Sequence, residues 1–205
     1  MPFRSRLVVV PDEVAYSFAT LIDHAHRNGK MKLIDLFHQD VPGLPGKADE
    51  NPIFVEEAFE EAQILDVRID ALRLVVGVLF ELRSGVLPMY VGDKSINCGA
   101  LILRRATDLH WWSALTEDDN NYAWPVHTVL ARLEGGRFKL GLRMGVIEGM
   151  RLNLTALKAE FYAGVIPTLT DGIPSYTDHK NVTGLVAGWD MDFVPTLGWY
   201  VDATK

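Results

Sequence analysis

The period of the hydrophobic pattern changes near residue 63, and this change constrains the fold more than any other feature of the chain. Beyond it, apolar and charged side chains alternate one by one, as Leu65, Val67, Ile69 and Ala71 do with Asp66, Arg68 and Asp70. A hydrophobic pattern that repeats every two residues is typical of a β-strand with one buried face. Residues 74–83 follow as a nearly continuous apolar run, which is typical of a central strand. The pattern therefore predicts strands beyond residue 63.

Turn residues divide the rest of this region into short segments. We predict strands over residues 100–105, 108–113, 126–133, 137–144, 150–155 and 158–165, and a last strand or pair of strands over 185–201. Gly135 and Gly136 separate two of these segments and form a hairpin signature. Short strands at close spacing favour antiparallel pairing, so we expect a mainly antiparallel sheet that is sandwich-like or strongly curved.

The region before residue 63 shows a helical pattern instead. Helices are predicted over residues 11–27, 31–38 and 51–62, the first beginning at Pro11 and the last capped by Asn51. The predicted fold class is therefore α+β, with two or three N-terminal helices packed on one face or end of the antiparallel β-sheet. We expect a single domain over residues 1–205, with 1–50 as a helical extension and 51–205 as the β-rich core.

The net charge of −7 narrows the classes of partner. A nucleic-acid-binding protein must pair basic side chains with phosphates, and an anionic membrane surface repels an acidic chain. The chain has no apolar run long enough to span a bilayer, no signal-peptide pattern at its N-terminus, and a single cysteine, Cys98. We therefore expect a cytoplasmic protein that binds neither nucleic acid nor membranes.

Charge is also unevenly distributed along the chain. Residues 49–70 are strongly acidic, with Arg68 as their one basic residue. Residues 132–158 reverse the balance, with Arg132, Arg137, Lys139, Arg143, Arg151 and Lys158 against Glu134 and Glu148. Such asymmetry describes surfaces and partners rather than fold.

Four glutamates share the polar side of the helix predicted over residues 51–62, and we call them the acidic arc: Glu56, Glu57, Glu60 and Glu61. Like charges at i,i+4 repel each other, and a basic partner would relieve that repulsion. A solvated helix face explains the same pattern and is the more common case. Trp111 and Trp112 must point to opposite faces of a strand, so one of them is expected in an interface or in solvent. The candidate protein-binding residues are the acidic arc and Trp112.

An alternative pocket could be assembled from scattered residues: Asp190, Asp192, His110, His127 and Trp112. On a strand the two aspartates share a side, where they could bind a cation or divide acid and base work, although a solvent-facing edge strand explains them more simply. Cys98 begins an apolar strand and is interpreted as a small buried hydrophobe. The sequence contains no motif of the common catalytic or nucleotide-binding sites, so we lean towards a protein that is not an enzyme and predict no catalytic residue, metal or cofactor.

Several segments resemble a bacterial protein family of unknown function whose members have about this size. The segments are residues 65–73, 76–83, 97–104, 159–162 and 189–193, and the resemblance spans roughly residues 60–203. It implies no residue roles. In general character the chain is similar to small acidic proteins such as toxin-immunity proteins.

Three functional hypotheses follow from these observations. The first is a non-catalytic cytosolic binding protein, such as an immunity-type inhibitor, whose acidic arc binds a basic protein partner. The second is an enzyme or small-ligand-binding protein that uses the alternative pocket. The third is a self-associating structural protein that pairs through a sheet edge and an exposed tryptophan.

Overall fold

The computed structural model describes residues 31–38, 51–114, 124–145, 149–169, 172–176 and 184–205. Of these residues, 53% lie in strands and 8% in helices. The helix predicted over residues 11–27 lies outside the described residues.

The described residues form ten strands in two sheets, and every pairing is antiparallel, as the sequence predicted. One sheet has six strands in the order β1-β10-β9-β4-β3-β2, and the other has four in the order β5-β8-β7-β6. The strands are β1 (Met31–Lys32), β2 (Gln63–Asp70), β3 (Val75–Glu81), β4 (Cys98–Arg104), β5 (Asp108–Ser113), β6 (Val126–Glu134), β7 (Arg137–Met144), β8 (Met150–Ala156), β9 (Lys158–Val165) and β10 (Asp192–Asp202).

The prediction of two or three N-terminal helices is wrong. Within the described residues, the segment predicted as a helix over 31–38 is β1 followed by a 3₁₀ turn, Leu33–Phe37. The segment predicted over 51–62 has a single 3₁₀ turn, Pro52–Phe54, and then irregular turns. The α-helix that the described residues do contain, α1 (Leu87–Tyr90), lies between β3 and β4.

The segment 51–62 departs from a helix because its internal main-chain hydrogen bonds form only separate short turns, and its end bonds to a strand. Glu61 N–H donates to the Val126 carbonyl, and Val126 N–H donates to the Ala62 carbonyl. Glu61 adopts a φ of 63°, which a continuing helix does not allow. The helical spacing of apolar residues still identified which side chains are buried here, because Ala58, Phe59 and Ala62 all point inward.

The main core lies between the two sheets, which pack face to face. Alternate residues of β3, β4, β9 and β10 meet alternate residues of β6, β7 and β8 across it. Phe59, Phe80 and Phe161 form an aromatic cluster in this core, with ring centroids 4.8 Å apart between Phe59 and Phe161 and 5.3 Å apart between Phe59 and Phe80.

The outer face of the six-stranded sheet carries a second core. Two covering segments, residues 33–37 and 184–191, place Leu33, Phe37 and Trp189 over this face. Every residue of β3 is therefore buried, which explains its continuous apolar run. A Cβ added at Gly77 would come within 2.4 Å of the Phe37 ring, so the missing side chain allows Phe37 to pack against the sheet.

Two buried ion pairs on this outer face hold the covering segments. The Arg104 guanidinium bonds to both Glu160 carboxylate oxygens, at 2.7 and 3.0 Å, and donates to the carbonyls of Leu36 and Phe37. In the same way Arg83 bonds to the buried Glu81 carboxylate at 2.6 and 2.7 Å and donates to the carbonyls of Gly172 and Leu185. Each arginine thus supplies hydrogen bonds that the irregular covering segments cannot make within themselves.

Arg104→Met should destabilise the fold strongly, because it leaves the buried Glu160 carboxylate without its cation and two carbonyl groups without their donor. We expect the free energy of unfolding, measured by urea denaturation, to fall by about 3–5 kcal/mol. Arg104→Met/Glu160→Met should recover part of this loss, since no unpaired charge then remains buried. Arg73→Met is the matched control, because its ion pair with Asp70 is exposed and should matter little. Equal losses for Arg104→Met and Arg73→Met would contradict the role assigned to the buried pair.

Candidate functional site

The outer face of the four-stranded sheet is the candidate functional site, and we call it the basic face. Leu109 and Trp111 of β5 pack against the main core, so Asp108, His110 and Trp112 point away from it. In the other three strands, too, alternate side chains point to this outer face. Its cationic residues are Arg132 from β6, Arg137, Lys139 and Arg143 from β7, and Arg151 from β8. Asp108 and Glu134 are its acidic residues.

The register of the sheet places these residues in rows across the strands. One row joins Trp112, Arg151, Arg143 and Thr128. The next joins His110, Asn153, Gly141 and Leu130, and a third joins Asp108, Thr155, Lys139 and Arg132. Gly141 thus leaves the centre of the face without a side chain, between Asn153 and the exposed Leu130.

The first row holds the strongest unbalanced charge of the face. Arg143 and Arg151 lie directly opposite each other on neighbouring strands, an arrangement of like charges that destabilises a sheet. Neither side chain forms an ion pair with a described residue. The Arg151 guanidinium carbon lies 5.4 Å from the centre of the Trp112 ring, and this ring is 43% exposed. An anion with an apolar or aromatic neighbour could therefore bind both arginines and the ring at once.

The charges of the third row are partly neutralised. Glu134 lies 2.7 Å from the Lys139 ammonium and 3.3 Å from the Arg132 guanidinium. The hydrogen bond from Lys139 lowers the pKa of the Glu134 carboxyl below its ordinary value. The first row is therefore the part of the basic face that is most available to a ligand anion.

The acidic arc lies beside the edge of the same sheet. Glu56, Glu57, Glu60 and Glu61 are all exposed, on irregular turns rather than on the predicted helix. Val129 N–H of β6 donates to the Glu56 carbonyl, which attaches the turns to the edge strand. None of the four carboxylates forms an ion pair with a described residue.

The structure does not bring the residues of the alternative pocket together. His110 and Trp112 lie on the basic face. His127 lies at an irregularity in β6, with Nε2 2.7 Å from the Gly145 carbonyl oxygen. Asp190 lies in the turn before β10, and Asp192 begins β10 beside Lys32, on the six-stranded sheet at the other side of the sandwich.

Cys98 is fully buried in the second core. Burial and the nearby Glu81 carboxylate raise the pKa of its thiol well above the ordinary value, so it stays a protonated, small apolar group.

Comparison with known proteins adds no assignment to this geometry. No protein family matches the chain, and no curated protein and no solved structure is similar to it. Among the described residues, no helix is long and apolar enough to cross a membrane, and no group of three His, Cys, Asp or Glu side chains could hold a metal ion. The resemblance to a bacterial family therefore stays a prediction, and the site rests on its geometry alone.

Trp112 and His110 were among the candidate site residues predicted from the sequence, but their basic neighbours were not. The excess of basic over acidic residues in 132–158 was a signal for these neighbours, and alternation within the predicted strand 137–144 puts Arg143 and Lys139 on one face. The order of the strands in the sheet was needed to place Arg143 beside Arg151, and that order is not encoded in any local pattern.

Arg143→Thr should stabilise the protein, since it removes a cross-strand repulsion and places two threonines opposite each other. We expect the free energy of unfolding to rise by about 0.2–1 kcal/mol in urea denaturation at low salt, and the gain to shrink at high salt. Arg132→Thr is the matched control and should give a smaller gain, because Arg132 also lies opposite a cation, Lys139, but Glu134 neutralises that pair. A loss of stability in Arg143→Thr would show that Arg143 is retained for the fold and not for a ligand.

Proposed function

We propose that this protein is a non-catalytic binding protein that holds an acidic protein partner on its basic face. The observation that carries the proposal is the first row of that face, in which Arg143 and Arg151 lie opposite each other without a counter-ion among the described residues, beside an exposed Trp112. Charges arranged at a cost to the sheet are expected where a ligand compensates them.

The composition of the face also favours a protein partner. Tryptophan and arginine are the residue types that most often dominate the energy of protein–protein interfaces. Leu130 is 49% exposed in the next row, so an apolar contact lies beside the two arginines. A partner that places a carboxylate on the arginines and an apolar side chain against Trp112 and Leu130 would match this pattern.

The total charge argues against a nucleic acid on this face. A net charge of −7 repels a polyanion at long range, whereas an acidic protein patch is a local feature that a local basic face can bind. Asp108 and Glu134, at the side of the face opposite Trp112, would repel a phosphate backbone that crossed all three rows.

Poly-L-glutamate can serve as the probe for an acidic protein surface, at a salt concentration that screens the long-range repulsion by the net charge of −7. We expect it to quench Trp fluorescence in the natural protein but not in Trp112→Phe, and to bind Arg143→Gln/Arg151→Gln at least about tenfold more weakly. The control pair Arg132→Gln/Lys139→Gln removes the same formal charge from the neutralised third row and should cost much less.

Two outcomes would contradict this function. Equal affinities of the two double variants for poly-L-glutamate would show that binding depends on the total charge of the face and not on the first row. Tighter binding of single-stranded oligouridylate than of poly-L-glutamate at the same salt concentration, lost in Arg143→Gln/Arg151→Gln, would assign the face to nucleic acid instead.

A second candidate function uses the acidic arc against a basic protein partner, as an immunity-type inhibitor would. The observation in its favour is that all four carboxylates are exposed and form no ion pair with a described residue. Mutual repulsion within the arc would be relieved by a basic surface.

Charge reversal tests the second candidate. Glu57→Lys/Glu60→Lys/Glu61→Lys should weaken binding of poly-L-lysine and flatten its dependence on salt, because the steering charges are inverted. The neutral triple variant, with glutamine at the same positions, should give an intermediate loss. Unchanged affinity of the charge-reversed variant for poly-L-lysine would exclude the acidic arc as the surface that binds a basic partner.

A further inference from the structure

A cleft of about 280 Å³ opens at the other side of the sandwich, at one end of the outer face of the six-stranded sheet. Its floor is the last row of the sheet, where Val75, Arg104 and Lys158 lie side by side on β3, β4 and β9. The covering segment 33–37 ends at this row, and Phe37 and His38 form the wall of the cleft. The last row thus presents two basic side chains beside Phe37 and His38.

The walls of the cleft are cationic. Arg73 reaches it from the turn between β2 and β3, and Arg105 from the turn after β4. With Arg104, Lys158 and His38, these side chains surround a space that no acidic residue lines, within the part of the chain that the structure describes. Phe37 and Val75 add an apolar wall at one side.

Three of the cations have counter-ions that lie outside the lining of the cleft. Arg104 is paired with Glu160 at 2.7 Å, Arg73 with Asp70 at 2.6 Å, and Lys158 with Asp202 at 3.8 Å. These pairs hold the side chains in place and leave the lining itself basic. Arg105 forms no ion pair with a described residue and is exposed, so its guanidinium is the principal group available to a new anion.

The backbone at Arg105 is held in a conformation that side chains disfavour. Its φ is +53°, in the left-handed region where glycine is the usual residue. Ala106 N–H donates to the Leu74 carbonyl at 2.8 Å, which fixes the turn and directs Arg105 to the cleft. An arginine at a position suited to glycine costs the fold some stability, and a ligand bound by its guanidinium would compensate for that cost.

We propose that this cleft binds the phosphate group of a phosphate monoester. An arginine fork matches the oxygens of a phosphate, and Arg105 and Arg73 reach the space from two sides while Lys158 supplies a third positive charge at its floor. The volume suits the phosphate and a small organic group, which would pack on Phe37 and Val75.

The phosphate can belong to a small soluble molecule or to a lipid headgroup, and the chemistry at the cleft is the same. The turn that carries Arg73 also carries Leu72, whose side chain is 96% exposed. A leucine in that position would enter the apolar layer of a membrane if the phosphate were a headgroup. The experiment therefore includes an arm for each source.

The soluble arm uses ribose 5-phosphate, with ribose as the neutral control, in titration calorimetry at constant ionic strength. We expect ribose 5-phosphate to bind and ribose not to bind. Arg105→Gln should weaken binding at least about tenfold, since a charge-assisted hydrogen bond is lost. Arg132→Gln removes another exposed arginine, which lies on the basic face, and should leave the affinity unchanged.

The membrane arm uses phosphatidylcholine vesicles with and without phosphatidic acid, in a sedimentation assay. Sedimentation that requires phosphatidic acid, and that both Arg105→Gln and Leu72→Ser reduce, would support the cleft and identify the headgroup as the source. Leu72→Ser should leave ribose 5-phosphate binding unchanged, because Leu72 does not line the cleft.

Arg105→Gly separates binding from folding. Glycine accepts a φ of +53° without strain, so this variant should unfold at the same urea concentration as the natural protein or a higher one, and yet lose phosphate binding. The proposal is overturned if ribose 5-phosphate binds no better than ribose and vesicles are not bound, or if Arg105→Gln leaves all binding intact. The double variant Arg143→Gln/Arg151→Gln should bind ribose 5-phosphate normally, so this result is independent of the function proposed for the basic face.

Discussion

The irregular segments that cover the six-stranded sheet depend on two arginines that are themselves held by buried glutamates. A long helix or a paired strand satisfies its main-chain carbonyls by its own pattern, but the segments at residues 33–37, 172–176 and 184–191 do not do so fully. Arg104 and Arg83 supply the missing donors at Leu36, Phe37, Gly172 and Leu185. A buried guanidinium requires a counter-ion, which explains why Glu160 and Glu81 lie on a face that is otherwise apolar. The second core exists because these pairs make its cover possible.

The two outer faces of the sandwich differ in what covers them, and this difference separates the two proposed sites. Within the described residues, the outer face of the six-stranded sheet is covered except at its last row, where the cleft lies beside Phe37 and His38. The outer face of the four-stranded sheet is open along all its rows in the described residues, and charged side chains take the positions that an apolar core would otherwise fill. An open, flat face suits a protein surface, whereas a closed face with one opening suits a small anionic group.

The total charge of the chain is a poor guide to either site. At −7 it led to the expectation of a basic partner, and the exposed acidic arc keeps that candidate open. Both sites built by the sheets are basic, because strand order collects the cations of residues 132–151 on the basic face and joins Lys158 to the cations of residues 73, 104 and 105 at the cleft. Recognition depends on the local field at a face, and the sum over the chain does not describe it.

Local patterns determined much of the strand content. The predicted strands at residues 108–113, 137–144 and 158–165 coincide with β5, β7 and β9, and Gly135 and Gly136 form the turn between β6 and β7 with positive φ. The apolar run at 74–83 marked β3 correctly, because a strand buried on both faces needs apolar residues at every position. The same reasoning failed for residues 51–62, where the spacing of buried residues predicted a helix, whereas the main chain forms separate short turns and bonds to β6.

The sequence by itself determined which side chains of a strand point inward, which strands are buried, and where the β6–β7 hairpin has its turn. Each of these features depends on neighbours within a few positions of the chain. Only the tertiary structure decided that Arg143 lies beside Arg151, that Val75, Arg104 and Lys158 form one row, and that Asp190 is remote from Trp112. These relations join residues that are far apart in the chain through the order and register of strands. The sites therefore could not be read from the sequence, since long-range pairing is chosen by the packing of the whole core and leaves no local periodic signal.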